Sequence, residues 1–147
     1  RKCDGRALFD SAKNEAQFKL AFVAGALCLA EISGSKETVY KWEDFALGKE
    51  FLRSLNDNES GPGMRFGSTV YEAVVHILAY KPKSEINIFT KTAGSAEART
   101  DGDFTAYRTH LTSSGRGLRL MFWRDDEGAI EFSNVGNKFE LKIEALS

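Results

Sequence analysis

Gly117 to Arg124 reads Gly-Leu-Arg-Leu-Met-Phe-Trp-Arg, Asp125 to Gly128 reads Asp-Asp-Glu-Gly, and Ala129 to Val135 reads Ala-Ile-Glu-Phe-Ser-Asn-Val. Two runs of alternating apolar residues flank a short acidic turn that ends in glycine, which is the pattern of a β-hairpin. Working outward, Phe104 to Leu111 precedes the hairpin as a further strand, and Lys138 to Ile143 follows it with Phe139, Leu141 and Ile143 on alternate positions. The last forty residues or so are therefore expected to form an antiparallel sheet.

Upstream, the period changes. Residues 7–32 place Leu8, Ala12, Phe18, Phe22, Leu29 and Ile32 at spacings of three, four and seven, the period of an amphipathic helix, with Gly34 as its C-terminal stop. Residues 37–42 contain Thr38, Val39 and Tyr40 and read as a short strand. Asp44 to Leu55 returns to helical spacing through Phe45, Leu47, Phe51, Leu52 and Leu55. Asn56 to Gly67, with Gly61-Pro62-Gly63, is a loop. Thr69 and Glu72 have the spacing of a capping box ahead of Val70, Val74, Ile77 and Leu78, and Lys81-Pro82 closes that helix. Glu85 to Thr90 alternates again, whereas Ala93 to Asp103 is small and polar and reads as a connection. The expected fold class is α+β: three helices packed on one face of a four- to five-stranded antiparallel sheet.

A length of 147 residues suits a single domain, 1–147, in which residues 1–35 add a helical extension to a helix pair plus sheet at 38–143. Hydrophobic content of 42% beside 28% charge belongs to a folded chain. The net charge of −1 supplies no global attraction to nucleic acid or to an anionic membrane. The charge is unevenly spread. Basic and acidic groups balance over residues 1–85, basic groups outnumber acidic ones over 86–124, and acidic groups dominate 125–147. The longest apolar run, Leu20 to Ala30, falls short of the roughly 18 residues that span a bilayer, so no membrane partner is expected. Cys3 and Cys28 are expected as free thiols in a cytoplasmic chain; one disulfide between them, in a secreted or periplasmic chain, is the alternative. Neither has a metal-ligand neighbour at the right spacing, and no metal or other cofactor is expected.

Strand parity singles out the residues that could do chemistry. Leu118, Leu120 and Phe122 face one way, and Arg119, Met121 and Trp123 face the other, semi-exposed. In the preceding strand Arg108 shares a face with Ala106 and His110. Guanidinium groups fork onto phosphate oxygens, and an imidazole moves protons near neutral pH, so Arg108, His110 and Arg119 together suit a phosphate-bearing ligand. A solvated sheet face is the plainer reading. His76, set among core residues of a helix, reads as a packing or surface group. Glu140-Leu141-Lys142, with Asp125 or Asp126 upstream, has the form used by metal-dependent nucleases, yet strand alternation accounts for it fully. Ser113 to Gly117 reads as a hairpin turn rather than a phosphate loop, and Tyr40, Trp42 and Phe45 as core and helix entry.

From Thr38 onward the chain resembles the RelE/ParE group of small bacterial toxins. The likeness lies in Thr38-Val39-Tyr40-Lys41-Trp42 as a first strand, Phe45 to Leu55 and Thr69 to Tyr80 as a helix pair, Tyr107-Arg108, Gly117 to Trp123, Ile130, and Val135-Gly136-Asn137-Lys138. Members of that group cut ribosome-bound messenger RNA or poison gyrase. The resemblance implies a toxin acting as a metal-independent ribonuclease. Arg108, Arg119, His110 and Tyr107 would then be catalytic, Lys91, Arg116 and Lys138 would bind RNA, and the partners would be RNA or the ribosome together with a protein antitoxin. A departure from the group is the near-neutral charge, which suits the other reading, a non-catalytic protein-binding module such as an immunity or inhibitor protein.

Overall fold

The computed structural model describes residues 5–35, 38–92, 94–112 and 117–147. The chain is α+β, with helices α1 (Gly5–Ser11), α2 (Glu15–Ile32), α3 (Phe51–Asp57) and α4 (Gly67–Leu78). Its strands are β1 (Phe45–Leu47), β2 (Ile86–Ile88), β3 (Thr100–Asp101), β4 (Phe104–His110), β5 (Arg119–Arg124) and β6 (Ile130–Gly136). The sheet order is β1-β6-β5-β4-β2, with β3 also paired to β4. Every pairing is antiparallel except β1 with β6, which is parallel and sets Phe45 opposite Ile130.

The β5–β6 hairpin forms where the sequence places it. Asp125 Oδ1 accepts from the amides of Glu127 and Ala129, and Gly128 supplies the positive φ of +94° that closes the turn. Leu120, Phe122, Phe132 and Val135 point to the helical side, where Phe132 meets the rings of Phe45, Phe51 and Phe122 with centroids 5.8–6.2 Å apart.

The single helix expected over 7–32 is two, so the described residues hold four α-helices rather than three. Asn14 interrupts it: its side chain accepts from the Gln17 amide, the Gln17 side chain accepts from Lys13 N, and the pair caps a new helix. α1 folds back along α2, with Gly5 against the backbone of Ala21 and Gly25. Gly25 in turn lets α2 approach Tyr71 and Val75 of α4, since a Cβ there would collide with both. The stop at Gly34 is as expected, with φ +66°. The stretch Glu15–Ser33 has the length and mean hydropathy, 1.4, of a membrane span, yet Phe18, Ala21, Phe22 and Ala26 are buried in the core. Cys28 is disulfide-bonded, which corrects the expectation of free thiols; Cys3, the other cysteine, lies outside the described residues.

Thr38 to Trp42 is not a strand. Tyr40 N donates to Leu78 O at the end of α4, and Tyr40 Oη donates to Gly128 O at 2.6 Å, so this segment is held by single contacts instead of a ladder. Burial, with the neighbouring Tyr80, pushes the Tyr40 phenol up to about 12. The first strand is Phe45–Leu47, inside the region read as helix, because Gly48 delays the helix start to Phe51 and both apolar positions face the core. The capping box at Thr69 and Glu72 is not made either. α4 begins at Gly67 after Phe66, with no side-chain cap, and only a glycine fits there against the carbonyl of Gly61. The connection before β4 carries β3 and a bridge between Thr90 and Ala98.

Lys19 of α2 is 9% exposed, and its ammonium donates to Trp42 O at 2.7 Å and Phe45 O at 2.8 Å while lying over both rings. Burial lowers its pKa, so the charged form carries a cost at neutral pH that is relieved only as pH rises past the folded-state pKa. Removing the ammonium takes this donor from both carbonyls. Lys19→Met, which keeps the stem, should still lower stability by about 1–3 kcal/mol in urea denaturation, the penalty of leaving them without it.

Residues 138–143, expected as a last strand, form no ladder. The chain from Asn137 runs back across the sheet face opposite the helices as an irregular strap. Phe139 and Leu141 are 78% and 63% exposed, while Ile143 and Leu146 pack on Met121 and Trp123. Those two side chains, expected to be semi-exposed, are consequently buried.

Candidate functional site

The strap leaves one corner of this outer face open, where β4 ends and β5 begins. Register sets His110 directly opposite Arg119, and Arg108, which pairs with Met121, is diagonal to Arg119. Side chains so related lie about 4.5–8 Å apart at their Cβ atoms, near enough for one small anion to meet all three. Like charges held this close repel, a cost that an anionic ligand removes.

Each group is held by a different device. The Arg108 guanidinium lies over the Phe89 ring at 4.8 Å, and Arg99 lies over the same ring at 4.1 Å. Arg119 Nη1 donates to Gly117 O at 2.6 Å and to Leu118 O at 3.3 Å, whereas its Nε is buried without a partner. Burial and Arg108 lower the Arg119 pKa, but a guanidinium stays protonated at neutral pH. The His110 pKa is lowered, first by lost hydration and then by Arg119 and Arg108, with Glu85 opposing. At pH 7 its imidazole is accordingly neutral and able to accept a proton.

His110 lies at the mouth of two neighbouring clefts. One, of about 420 Å³, is lined by Ser84, Glu85, Asn87, Leu111 and Thr112; the other, of about 430 Å³, reaches Ser68, Thr69 and Lys83 at the start of α4. A smaller apolar cleft of about 270 Å³ between α2 and α4 includes Arg6, Cys28, Tyr71 and Val75 and none of the corner's residues. Within that region His76 Nδ1 meets Glu72 O at 2.8 Å, a contact along its own helix.

The sequence-derived set divides. Arg108, His110 and Arg119 share the corner. Lys138 joins them, since its stem and Arg119 Nη1 both crowd Gly117, while its ammonium sits over the Phe139 ring at 5.2 Å. Tyr107 does not: it points to the helical side, stacked on Phe122 at 5.8 Å beneath the Arg124 guanidinium, because neighbouring strand residues face opposite ways. Lys91 is engaged by Glu97 at 2.9 Å on the loop after β2. Arg116 and the turn around it lie outside the described residues. Glu140 and Lys142 belong to the strap, where Glu140 accepts from Lys142 N and Lys142 pairs with Glu144, and Asp125 serves the hairpin turn. Among the described residues no three His, Cys, Asp or Glu side chains converge on a point that could hold a metal ion. Ser84, Glu85 and Asn87 were not visible as site residues in the sequence. Their signal is the pairing of Asn87 with Arg108, which only the β2–β4 register reveals.

No family model, curated protein or solved structure matches this chain.

Proposed function

We propose that the chain acts on RNA as a metal-independent endoribonuclease at the Arg108–His110–Arg119 corner, with the toxin activity that its RelE-like sequence features suggest. The observation that carries this reading is a histidine that lines two clefts, opposite one arginine and beside another, with its pKa lowered by burial and by those arginines. His110 takes the proton of a ribose 2′-hydroxyl as that oxygen attacks the adjoining phosphorus. Arg108 and Arg119 hold the phosphate and carry the charge that builds on it. The 5′ oxygen departs with a proton from solvent, which leaves a 2′,3′-cyclic phosphate. Lys138 extends the cationic track. The disulfide at Cys28 favours an oxidising compartment over the cytoplasm, which makes free RNA a better substrate than ribosome-bound message.

The test is incubation of a single-stranded RNA with the chain and with an Arg108→Ala, Arg119→Ala double variant. Cleavage to cyclic-phosphate ends should be lost in the double variant, and binding should weaken steeply with salt. Intact RNA with the unaltered chain sinks the reading. A second reading, a protein-binding module, has one observation in its favour: α2 exposes Leu20 and Leu27, seven positions apart and so on one side of the helix, as a short aliphatic strip. Binding through that strip would be insensitive to both salt and the double variant.

A further inference from the structure

The strap over the outer face is gripped in an unusual way. Asn134, 5% exposed, uses both ends of its carboxamide: Nδ2 donates to Lys142 O at 3.2 Å and Oδ1 accepts from Glu144 N at 2.9 Å. Trp123 Nε1 and Ser133 Oγ both donate to Glu144 O, at 2.9 and 2.7 Å. The Glu131 carboxylate accepts from Ser147 N at 2.9 Å. Each of these sheet side chains meets a main-chain atom of the strap. The strap's own side chains contribute Ile143 and Leu146, laid on the cluster that holds Met121 and Trp123, and Ser147 Oγ, which accepts from Lys49 N at 3.0 Å. A carboxamide that bonds the carbonyl of one residue and the amide of the next but one copies the hydrogen bonding of a neighbouring strand. Such contacts read backbone, not sequence.

We propose that the outer face of β5 and β6 is a peptide-binding groove, which the chain's own residues 142–147 fill. The partner it fits is a segment of another protein with aliphatic residues three apart, held in the same irregular course that sets Ile143 and Leu146 on one side. Asn134, Ser133 and Trp123 grip its backbone, and Met121 and Trp123 form the apolar floor. The groove has no use for Phe139 and Leu141, which is why both stand in solvent. The strap is a tethered competitor: at an effective concentration of about millimolar it excludes weaker ligands and yields to stronger ones.

The experiment uses the full chain with Trp42→Phe, which leaves Trp123 as the only indole. Adding Ile143→Asp and Leu146→Asp should release the strap and shift Trp123 emission to the red. A synthetic peptide of residues 137–147 should then restore the blue-shifted emission saturably, and the same peptide with both aspartates should not. The chain with its strap intact should bind the peptide about 100-fold more weakly. Failure of the peptide to restore the emission overturns the proposal. So does a concentration-dependent dimer of the intact chain that the two aspartates abolish, because the occupant would then be the strap of a second copy. Should the aspartate variant not fold, hydrogen exchange on the unaltered chain decides. Amides of 142–147 should exchange at least 100-fold faster than those of β5 and β6, whereas exchange only with global unfolding would make the strap an integral part of the fold and end the proposal.

Discussion

His110→Ala is expected to lower single-turnover RNA cleavage by about 10²–10⁴-fold, the usual contribution of a positioned general base. The pH profile separates a chemical role from a structural one. Because burial, Arg119 and Arg108 hold the His110 pKa below 6.5, the imidazole is already a free base at neutral pH. Cleavage should therefore be flat near pH 7 and fall only as pH drops through the lowered pKa. Arg119→Gln removes one of the two cations that depress it, so the acid limb should move toward higher pH while the plateau also drops. An unchanged acid limb in that variant, or a His110→Ala protein that cleaves at the original rate, sinks the assignment. Folding follows the same sign: the lowered pKa gives a contribution present above pH 6.5 and lost as pH falls through the folded-state value. A loss of stability in acid thus accompanies the loss of rate, and circular dichroism at each pH keeps the two apart.

Phe132→Ala is expected to cost about 3–5 kcal/mol, the range for removing a fully buried phenyl ring. Phe132 is inaccessible to solvent and is the junction of the core, touching Phe45 of β1, Phe51 of α3 and Phe122 of β5. None of these backbones can close the hole, because β1 and β5 are fixed by their ladders with β6. Against a total of about 5–15 kcal/mol for an ordinary domain, such a loss leaves little in reserve. The thermal midpoint should fall on the order of 10 °C. Scanning calorimetry checks this, and a fall of only a degree or two would mean that the core repacks around the vacancy.

What could be read in advance was local. The β5–β6 hairpin was legible because its pattern of alternation and its turn residues lie within twenty positions of one another, and the face shared by Arg108 and His110 followed from parity alone. Features that depend on distant partners were not legible. Phe45-Ala46-Leu47 carries no mark of a strand, since its pairing partner β6 lies far along the chain. The strap departs from its sequence pattern for the opposite reason. Phe139, Leu141 and Ile143 alternate as a strand does, yet the backbone bonds there are met by Asn134, Ser133 and Trp123 rather than by a neighbouring ladder. Tyr107 enters the set only through the RelE-like resemblance, and as the strand neighbour of Arg108 it faces the other way. The clefts beside His110 needed the β2–β4 register and the approach of α4, neither of which a sequence displays. Asn14, by contrast, is an ordinary N-cap residue whose place inside the apolar period marks the division between α1 and α2.

The parallel pairing of β1 with β6 has a consequence for the order of assembly. During synthesis Phe45–Leu47 emerges long before Ile130–Phe132, and the edge it needs does not yet exist. Lys19, whose ammonium is satisfied by the carbonyl of Phe45, has to wait with it. Until the closing hairpin arrives, the Lys19 ammonium stays hydrated and Phe45–Leu47 stays unpaired. Contacts of such long sequence separation slow the final step of folding, and holding a newly made chain through that interval is a natural task for a chaperone.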